Sequence, residues 1–305
     1  MASSKLNELP TNKVLTLDNA TCPYCGKDLL NNNDTKEHVV GRKFCPKGSL
    51  NGQWNLILRA CNDCNNAKSK LENDISAITL AGRHWFNPEK HVPSVLLEAK
   101  RKSKNSISCR TKKPVQDSQE NLNISFPFSS GVTFNFNIVG PPQIDNNRLY
   151  ELARMQIMAF FYLITFNQET KKGGFWLGGF FPLIEAQHSD WGNTIHKAFM
   201  QTVYPWELKW IGNTANGFFK SIIKRNPNEF CWSWALEWNK NYRLIGFFGE
   251  QKPIESIVNT FSTLEMSPWI DCGKSKYRIR YDISLRDEED LLFSWDDGVK
   301  AGIDA

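Results

Sequence analysis

Two pairs of cysteines, each with the spacing CxxC, constrain the fold of this chain more than any other feature. Cys22 and Cys25 form the first pair, and Cys61 and Cys64 form the second. Each CxxC turn can present two thiolates to one ion, and two turns complete a tetrahedral four-cysteine site, the usual geometry of structural zinc. In a reducing compartment such pairs indicate a metal site and not disulfides. Four thiolates leave no open position, so this zinc should fold the module and take no part in catalysis.

The composition of the chain changes along its length. Residues 1–80 hold the cysteine pairs and short elements, residues 81–145 are a basic and loosely organised linker region, and residues 146–305 form a larger domain. Nine of the eleven tryptophans lie at or after Trp176, so the aromatic core should belong to the third region. The predicted fold class is α+β.

Periodicity in the third region predicts both helices and strands. A helix capped by Asp145 or Asn146 should run from Arg148 to about Phe166, and a second helix should cover Asn193 to Tyr204. Alternation of side chains predicts strands in four segments of the chain, VTFNFNIV, CWSWALEW, YRLIGFF and YRIRYDISL. The second and third of these strands should form a hairpin.

The charge distribution allows a nucleic-acid partner. The net charge is +5, which permits such a partner without requiring one. The run KRKSKNSISCRTKK, from Lys100 to Lys113, contains no acidic residue. This run suits contact with a phosphate backbone, and it equally suits a solvated basic linker.

Residues that could take part in catalysis lie between the two cysteine pairs and directly after the second pair. Glu37 and His38 precede two valines, so they should end or lie in a strand. Asn55 opens the segment NLILRAC, and the second CxxC leads into NNAKSKLENDISAI, a predicted helix. Two strands and a helix stapled by zinc would bring Glu37, His38, Asn55 and the pair Asn65-Asn66 within reach of each other. Without these residues, a structural zinc ribbon or knuckle would be the interpretation of the cysteines.

This arrangement resembles the HNH (ββα-metal) endonuclease family, in the subgroup with two zinc-binding CxxC pairs. The family pattern is CxxC, Asp-His-Ile, a loop, Asn-Leu, CxxC, a His or Asn, and a Lys three residues further on. The matching residues here are Cys22, Cys25, Glu37, His38, Val39, Asn55, Leu56, Cys61, Cys64, Asn65 and Lys68. The resemblance covers residues 20–72. It predicts a small zinc-stapled ββα-metal nuclease module, followed by a larger aromatic-rich α+β domain for recognition, oligomerisation or control.

The resemblance implies a role for each matched residue. His38 would be the general base that takes a proton from the attacking water. Glu37 would hold a catalytic Mg²⁺ or Mn²⁺, with Asn65 as the second protein ligand. Asn55 would orient His38 or pin the loop after it by hydrogen bonds. Lys68, on the helix, would contact a phosphate.

Three positions depart from the family pattern. Glu37 is longer by one methylene than the commoner Asp, and Gly41 stands where the family often has Pro. Asn55 lies one residue further from the second cysteine pair than the pattern has it, so Asn51 is an alternative for its role. Asn66 is likewise an alternative to Asn65 as the metal ligand.

We therefore predict a metal-dependent HNH endonuclease that hydrolyses DNA phosphodiester bonds, with structural Zn²⁺ and catalytic Mg²⁺ or Mn²⁺. Arg42 and Lys43 would be further phosphate contacts, or else part of a solvated loop. Restriction or phage defence is the use that analogy suggests. The alternatives are a non-catalytic zinc-dependent nucleic-acid-binding protein, and a latent nuclease gated by a small-molecule or protein signal at the C-terminal domain.

The remaining expectations concern assembly and location. Cutting both strands of DNA would need a homo-oligomer or two sequential nicks, because the chain has one such constellation. The start, MASSKLNELP, lacks the layout of a signal peptide. The longest apolar run, Met155 to Phe166, is too short to span a bilayer. We expect a cytoplasmic protein with no membrane partner.

Overall fold

The computed structural model describes residues 13–29, 34–86, 93–129, 131–271 and 276–294, and they form a mixed α+β structure. Strands β1 (Val14–Thr16), β2 (Asp34–His38) and β3 (Asn55–Cys61) make one sheet in the order β1-β3-β2. Strand β2 runs antiparallel to β3, and β1 runs parallel to it. Six of the seven residues of the central strand β3 are buried, as its apolar sequence leads one to expect. Helix α1 (Asn62–Phe86) begins directly after β3.

The region expected to be a loosely organised linker contains regular structure. Helix α1 extends past residue 80, helix α2 covers Pro93–Asn105, and strands β4 (Glu120–Ser129) and β5 (Val132–Gly140) form a hairpin. Helix α2 packs against α1 and starts with a proline, which fits the first turn of a helix. The first six residues of the basic run, 100–105, are helical, with Lys102 buried and the neighbouring Lys100 and Lys104 in solvent, and residues 106–113 form a loop.

The C-terminal part is built around a five-stranded antiparallel sheet in the order β6-β10-β9-β8-β7. Its elements are helices α3 (Asn146–Ile164), α4 (Thr194–Val203) and α5 (Gln251–Val258), and strands β6 (Gly179–Gln187), β7 (Glu207–Thr214), β8 (Phe219–Arg225), β9 (Cys231–Trp238), β10 (Tyr242–Gly249), β11 (Ile270–Asp271) and β12 (Lys276–Tyr277). The expected helices α3 and α4 and the β9-β10 hairpin are confirmed. The Asp145 side chain caps α3 by accepting from the Arg148 backbone N–H.

One predicted strand is wrong. The segment YRIRYDISL alternates in sequence, yet β12 ends at Tyr277 and residues 278–285 form a single bridge, between Arg280 and Met266. This segment bonds to the turn before α4 instead of to a sheet. Gly192 donates to the Ile283 carbonyl at 2.7 Å, and the Arg280 guanidinium pairs with the buried Asp190. Among the described residues, this segment pairs only briefly, with residues 265–267, and alternation alone does not reveal how far a segment will be paired.

A continuous hydrophobic core connects the N-terminal part to the C-terminal sheet. Leu56 and Trp54 from the β3 region pack in one cluster with Phe160 of α3 and Trp210 of β7. Phe160 and Trp210 stack with ring centroids 4.6 Å apart, and the Trp54 indole donates to the Asn213 carbonyl at 2.8 Å. This core crosses both boundaries that the sequence suggested, near residues 80 and 146. In the described part of the chain, no helix is long and apolar enough to cross a membrane.

Candidate functional site: a four-cysteine centre and His38

The four cysteines of the two CxxC pairs lie together. Cys22 and Cys25 come from a tight turn before β2, Cys61 ends β3, and Cys64 lies in the first turn of α1. Their sulfur atoms all lie within 4.8 Å of one another, and the Cys25 and Cys61 sulfurs are 3.7 Å apart. An ion coordinated tetrahedrally by four sulfurs, with metal–sulfur bonds of about 2.3 Å, would need the sulfurs to lie about 3.8 Å apart. The expected metal site is therefore present, and its thiol donors and spacing fit zinc.

Burial of Cys22 works against the thiolate form that a metal ligand must have. This side chain is fully buried, and burial raises the pKa of its thiol to about 11. A metal ligand must be a thiolate, so a metal ion would have to displace this proton. The two turns come from distant parts of the chain, so the ion would join β2 and β3 to the start of α1.

His38 lies at the end of β2 with its imidazole partly exposed. The Arg42 guanidinium donates a hydrogen bond from Nε to His38 Nε2 at 3.2 Å. Partial burial, followed by the positive charge of Arg42, lowers the pKa of His38 below its ordinary value. The lowered pKa favours the uncharged imidazole, whose Nε2 accepts the hydrogen bond from Arg42. This is the state that a general base requires.

Glu37 points to the opposite face of β2, toward α1. Its carboxylate is 3% exposed, and its Oε1 accepts from the Tyr24 hydroxyl at 2.9 Å. The Lys68 ammonium lies 2.8 Å from the same oxygen and also pairs with Glu72 at 2.6 Å. The carboxylate is thus occupied by an ammonium and a hydroxyl.

The resemblance implied that Lys68 contacts a phosphate, which requires it to be at the surface. Lys68 is buried instead. It is 1% exposed and donates to the His38 carbonyl at 3.1 Å in addition to its two ion pairs. Burial opposes its charge, but the carboxylates of Glu72 and Glu37 outweigh burial and raise the pKa of Lys68. Its position on α1 faces β2, so the side chain fills the space between helix and strand.

The absence of a side chain at Gly41 has a steric reason. A Cβ atom at this position would lie 2.3 Å from a carboxylate oxygen of Glu72. A side chain at residue 41 would force the Glu72 carboxylate to move from its ion pair with Lys68, so glycine lets the loop after His38 lie directly on this pair.

Asn55 pins the loop that follows His38. Its amide accepts from the Val40 backbone N–H at 3.2 Å and donates to the Val40 carbonyl at 2.8 Å. This is one of the two roles that the resemblance implied. The alternative residue, Asn51, is exposed in a separate turn. Arg42 and Lys43 are both exposed in the loop itself.

The structure does not bring Glu37 and Asn65 to a common open cation site. The Asn65 amide donates to the Thr35 hydroxyl, Asn66 is exposed, and Glu37 faces Lys68. Within the described ranges, the four cysteines are the only group of three or more His, Cys, Asp or Glu side chains close enough to share an ion. An ammonium repels a divalent cation, so this arrangement does not fit a catalytic Mg²⁺ or Mn²⁺.

Lys102 of α2 is a supporting residue that the sequence did not reveal. Its ammonium is buried and donates to the carbonyls of Lys43, Phe44 and Cys45, at 2.6, 2.9 and 3.1 Å. Burial lowers the pKa of Lys102 to about 8. Nothing distinguishes this lysine from its neighbours in the basic run. The i,i+4 spacing of Lys68 and Glu72, by contrast, was a usable signal.

Comparison with known proteins gives no assignment. No family model matches the chain, and neither a curated protein nor a solved structure matches it significantly.

Proposed function

We propose that this protein is an endonuclease of the HNH type that hydrolyses DNA phosphodiester bonds, with β2, β3 and α1 as its ββα module. The observation that carries the proposal is the state of His38. Its imidazole has a lowered pKa, is partly exposed, and lies next to the exposed guanidinium of Arg42. A neutral base beside a cation is the combination that phosphodiester hydrolysis needs.

The chemistry assigned to this pair is simple. His38 Nε2 accepts a proton from water, and the resulting hydroxide attacks phosphorus. The bond from phosphorus to the 3′ oxygen breaks, which leaves a 3′ hydroxyl and a 5′ phosphate, and the imidazolium returns its proton to the leaving oxygen or to solvent. Arg42 moves its hydrogen bond from His38 to a non-bridging phosphate oxygen when substrate binds, and it stabilises the charge that develops there.

The surrounding residues hold this pair in place. Asn55 and Lys102 fix the loop that carries Arg42, and Lys68 holds the His38 carbonyl. A zinc ion on the four cysteines would staple the strands to α1 and supply no reacting group.

The test is cleavage of supercoiled plasmid by the full chain without added divalent metal, in Mg²⁺ and in Mn²⁺. We expect the wild-type protein to nick or linearise plasmid and His38→Ala to lose cleavage while keeping its zinc content and its unfolding midpoint. His188→Ala, at an exposed histidine of the C-terminal part, is the matched control and should cut at the wild-type rate. Cleavage by His38→Ala at the wild-type rate would refute the proposal.

A second candidate is a zinc-dependent protein that binds nucleic acid without cutting it. The contact between Lys68 and Glu37 favours it, because this ammonium stands at the carboxylate that would have to hold a catalytic metal. Binding of DNA with no turnover in any of these metals would select this candidate. A latent nuclease gated through the C-terminal part is the third. The continuous core means that it must be tested on the full chain.

A further inference from the structure

A cleft with a volume of about 760 Å³ opens between α1, α3 and the loop at residues 107–112. It lies on the α1 face that carries Cys64, Leu71 and Asp74, next to the face that carries Lys68. Its volume falls in the range of sites that hold small ligands, roughly 300–1,000 Å³. Tyr24 forms part of its wall, and the Tyr24 hydroxyl bonds to Glu37, so the cleft lies on the α1 side of β2, the side that Glu37 faces.

The walls of the cleft are fixed to each other through Asp74. This carboxylate is 2% exposed and accepts from both terminal nitrogens of Arg148 on α3, each at 2.8 Å. It also accepts from the Cys109 backbone N–H at 2.8 Å, which anchors the loop. A cleft whose three walls are joined in this way is preformed, so a ligand need not order it.

Side chains of both charges line the cleft. Cys25 and Cys64 lie at one end and would carry the negative charge of the metal thiolates. Lys70 lies six residues after Cys64, or about 9 Å along the helix axis. Lys112 extends from the anchored loop and, like Lys70, is exposed and makes no ion pair with a described carboxylate. The other charged side chains of the lining pair with each other, Arg148 with Asp74 and Arg154 with Glu151, so Lys70 and Lys112 supply the unpaired positive charge of the cleft.

The interior of the cleft is apolar. Leu71 from α1, Met155 from α3 and Ile107 from the loop contribute to its lining. The Ile107 side chain is 47% exposed, although the residue is large and apolar. A flat, apolar ring with a phosphate attached would match both the interior and the two lysines.

We propose that this cleft binds an unpaired segment of nucleic acid, with phosphates at Lys70 and Lys112 and a base against Ile107 and Met155. A base must leave its pair to enter such an interior, so a duplex would contact the lysines alone. Two further lysines, Lys113 and Lys104, are also exposed. They make the positive region long enough to contact more than one phosphate. The inference rests on the proposed function in one respect: the bound strand is the substrate only if the protein is a nuclease.

The test measures binding of a fluorescein-labelled oligo-dT strand and a matched duplex to the full chain with His38→Ala, which prevents cleavage. Lys70→Gln/Lys112→Gln should weaken oligo-dT binding by about 25-fold at 0.1 M salt, because each single-strand phosphate contact contributes about 0.7 to the salt slope and its effect is taken to vanish near 1 M salt. The slope measured from about 0.05 to 0.2 M salt should fall by about 1.4. The control, Lys197→Gln/Lys252→Gln, removes two exposed lysines on α4 and α5 and should leave both values unchanged.

Ile107→Ala provides the second measurement, because it tests the base contact alone. It should weaken oligo-dT binding and leave duplex binding unchanged. Equal losses for strand and duplex in the lysine variant, with no effect of Ile107→Ala, would overturn the unpaired-strand assignment. Unchanged oligo-dT binding in both variants would overturn the site, whether or not the wild-type protein cuts plasmid. If oligo-dT binding depends on these residues but the protein never cuts plasmid, the nuclease proposal is refuted and the proposed binding site stands.

Discussion

Replacement of Lys68 by methionine is the sharpest test of the site as the structure presents it. Methionine keeps most of the length of the side chain and removes the ammonium that pairs with Glu37 and Glu72. Lys68 and Glu37 are buried and Glu72 is largely buried, so the two carboxylates would lose the only described cation within ion-pair distance. Removing one partner of a buried ion pair typically costs about 3–5 kcal/mol. This cost is a large fraction of the free energy of unfolding of a typical protein, about 5–15 kcal/mol.

The matched control is Lys70→Met, two residues further along the same helix. Lys70 is exposed and has no described carboxylate partner, so its replacement should change the free energy of unfolding by no more than about 0.5 kcal/mol. Urea unfolding at about pH 8 measures both variants. A loss of less than about 1 kcal/mol in Lys68→Met would show that the ammonium is not the counter-charge of the two carboxylates.

A pH series adds an independent check on the same variant. Burial raises the pKa of Glu72, and Lys68 acts against that rise. Without Lys68, this carboxyl group takes up a proton more readily in the folded state, and protonation removes the unpaired charge. The deficit of Lys68→Met relative to wild type should therefore be smaller near pH 5 than near pH 8. Equal deficits at both values would contradict this reasoning.

Four other perturbations have defined outcomes. Because the pKa of His38 lies below its usual value, plasmid cleavage should fall only when the pH drops below about 6.5, and a rate that still rises tenfold per unit above it would exclude His38 as the base. Cys61→Ser should release about one zinc per chain, measured by elemental analysis, and unfold the protein, because structural zinc contributes about 10–16 kcal/mol. Gly41→Ala should lower the free energy of unfolding by about 1–3 kcal/mol in urea, since its Cβ would collide with the Glu72 carboxylate. Burial lowers the pKa of His196 to about 3, so the unfolded chain gains a proton that the folded chain refuses. Stability should then fall by up to about 1.4 kcal/mol per unit as the pH drops below 6.5, less so in His196→Gln.

Much of the secondary structure could be predicted because its causes are local. The Asp145 cap and the apolar spacing after it define α3, and they lie within a few turns of each other in sequence. The turn at Asn239 and Lys240, which have φ angles of 55° and 56°, is similarly local and fixes the β9-β10 hairpin. The strand predicted in YRIRYDISL failed because a strand also needs a partner, and pairing depends on distant residues.

The residues of the candidate site also differ in whether local sequence could predict their roles. The pairing of Asn55 with the loop at Val40 agrees with a role that the resemblance implied, and the short strands bring it about. The role of Lys68 differs from its implied one. Sequence places it on a helix near the site, but whether it faces solvent or β2 depends on how α1 docks. Lys102 lies in a run of lysines with similar local sequence, and only the packing of α2 buries this one.

The sequence by itself determined the four-cysteine centre, the mixed α+β fold and the candidacy of His38, because thiolate pairs, periodicity and a titratable residue beside a strand end are readable over short distances. The tertiary structure alone decided that Glu37 faces an ammonium, that α2 supports the loop after His38, and that one core joins both parts of the chain. Burial is the physical reason. It sets which charges must find partners, and it arises only when segments far apart in sequence exclude water between them.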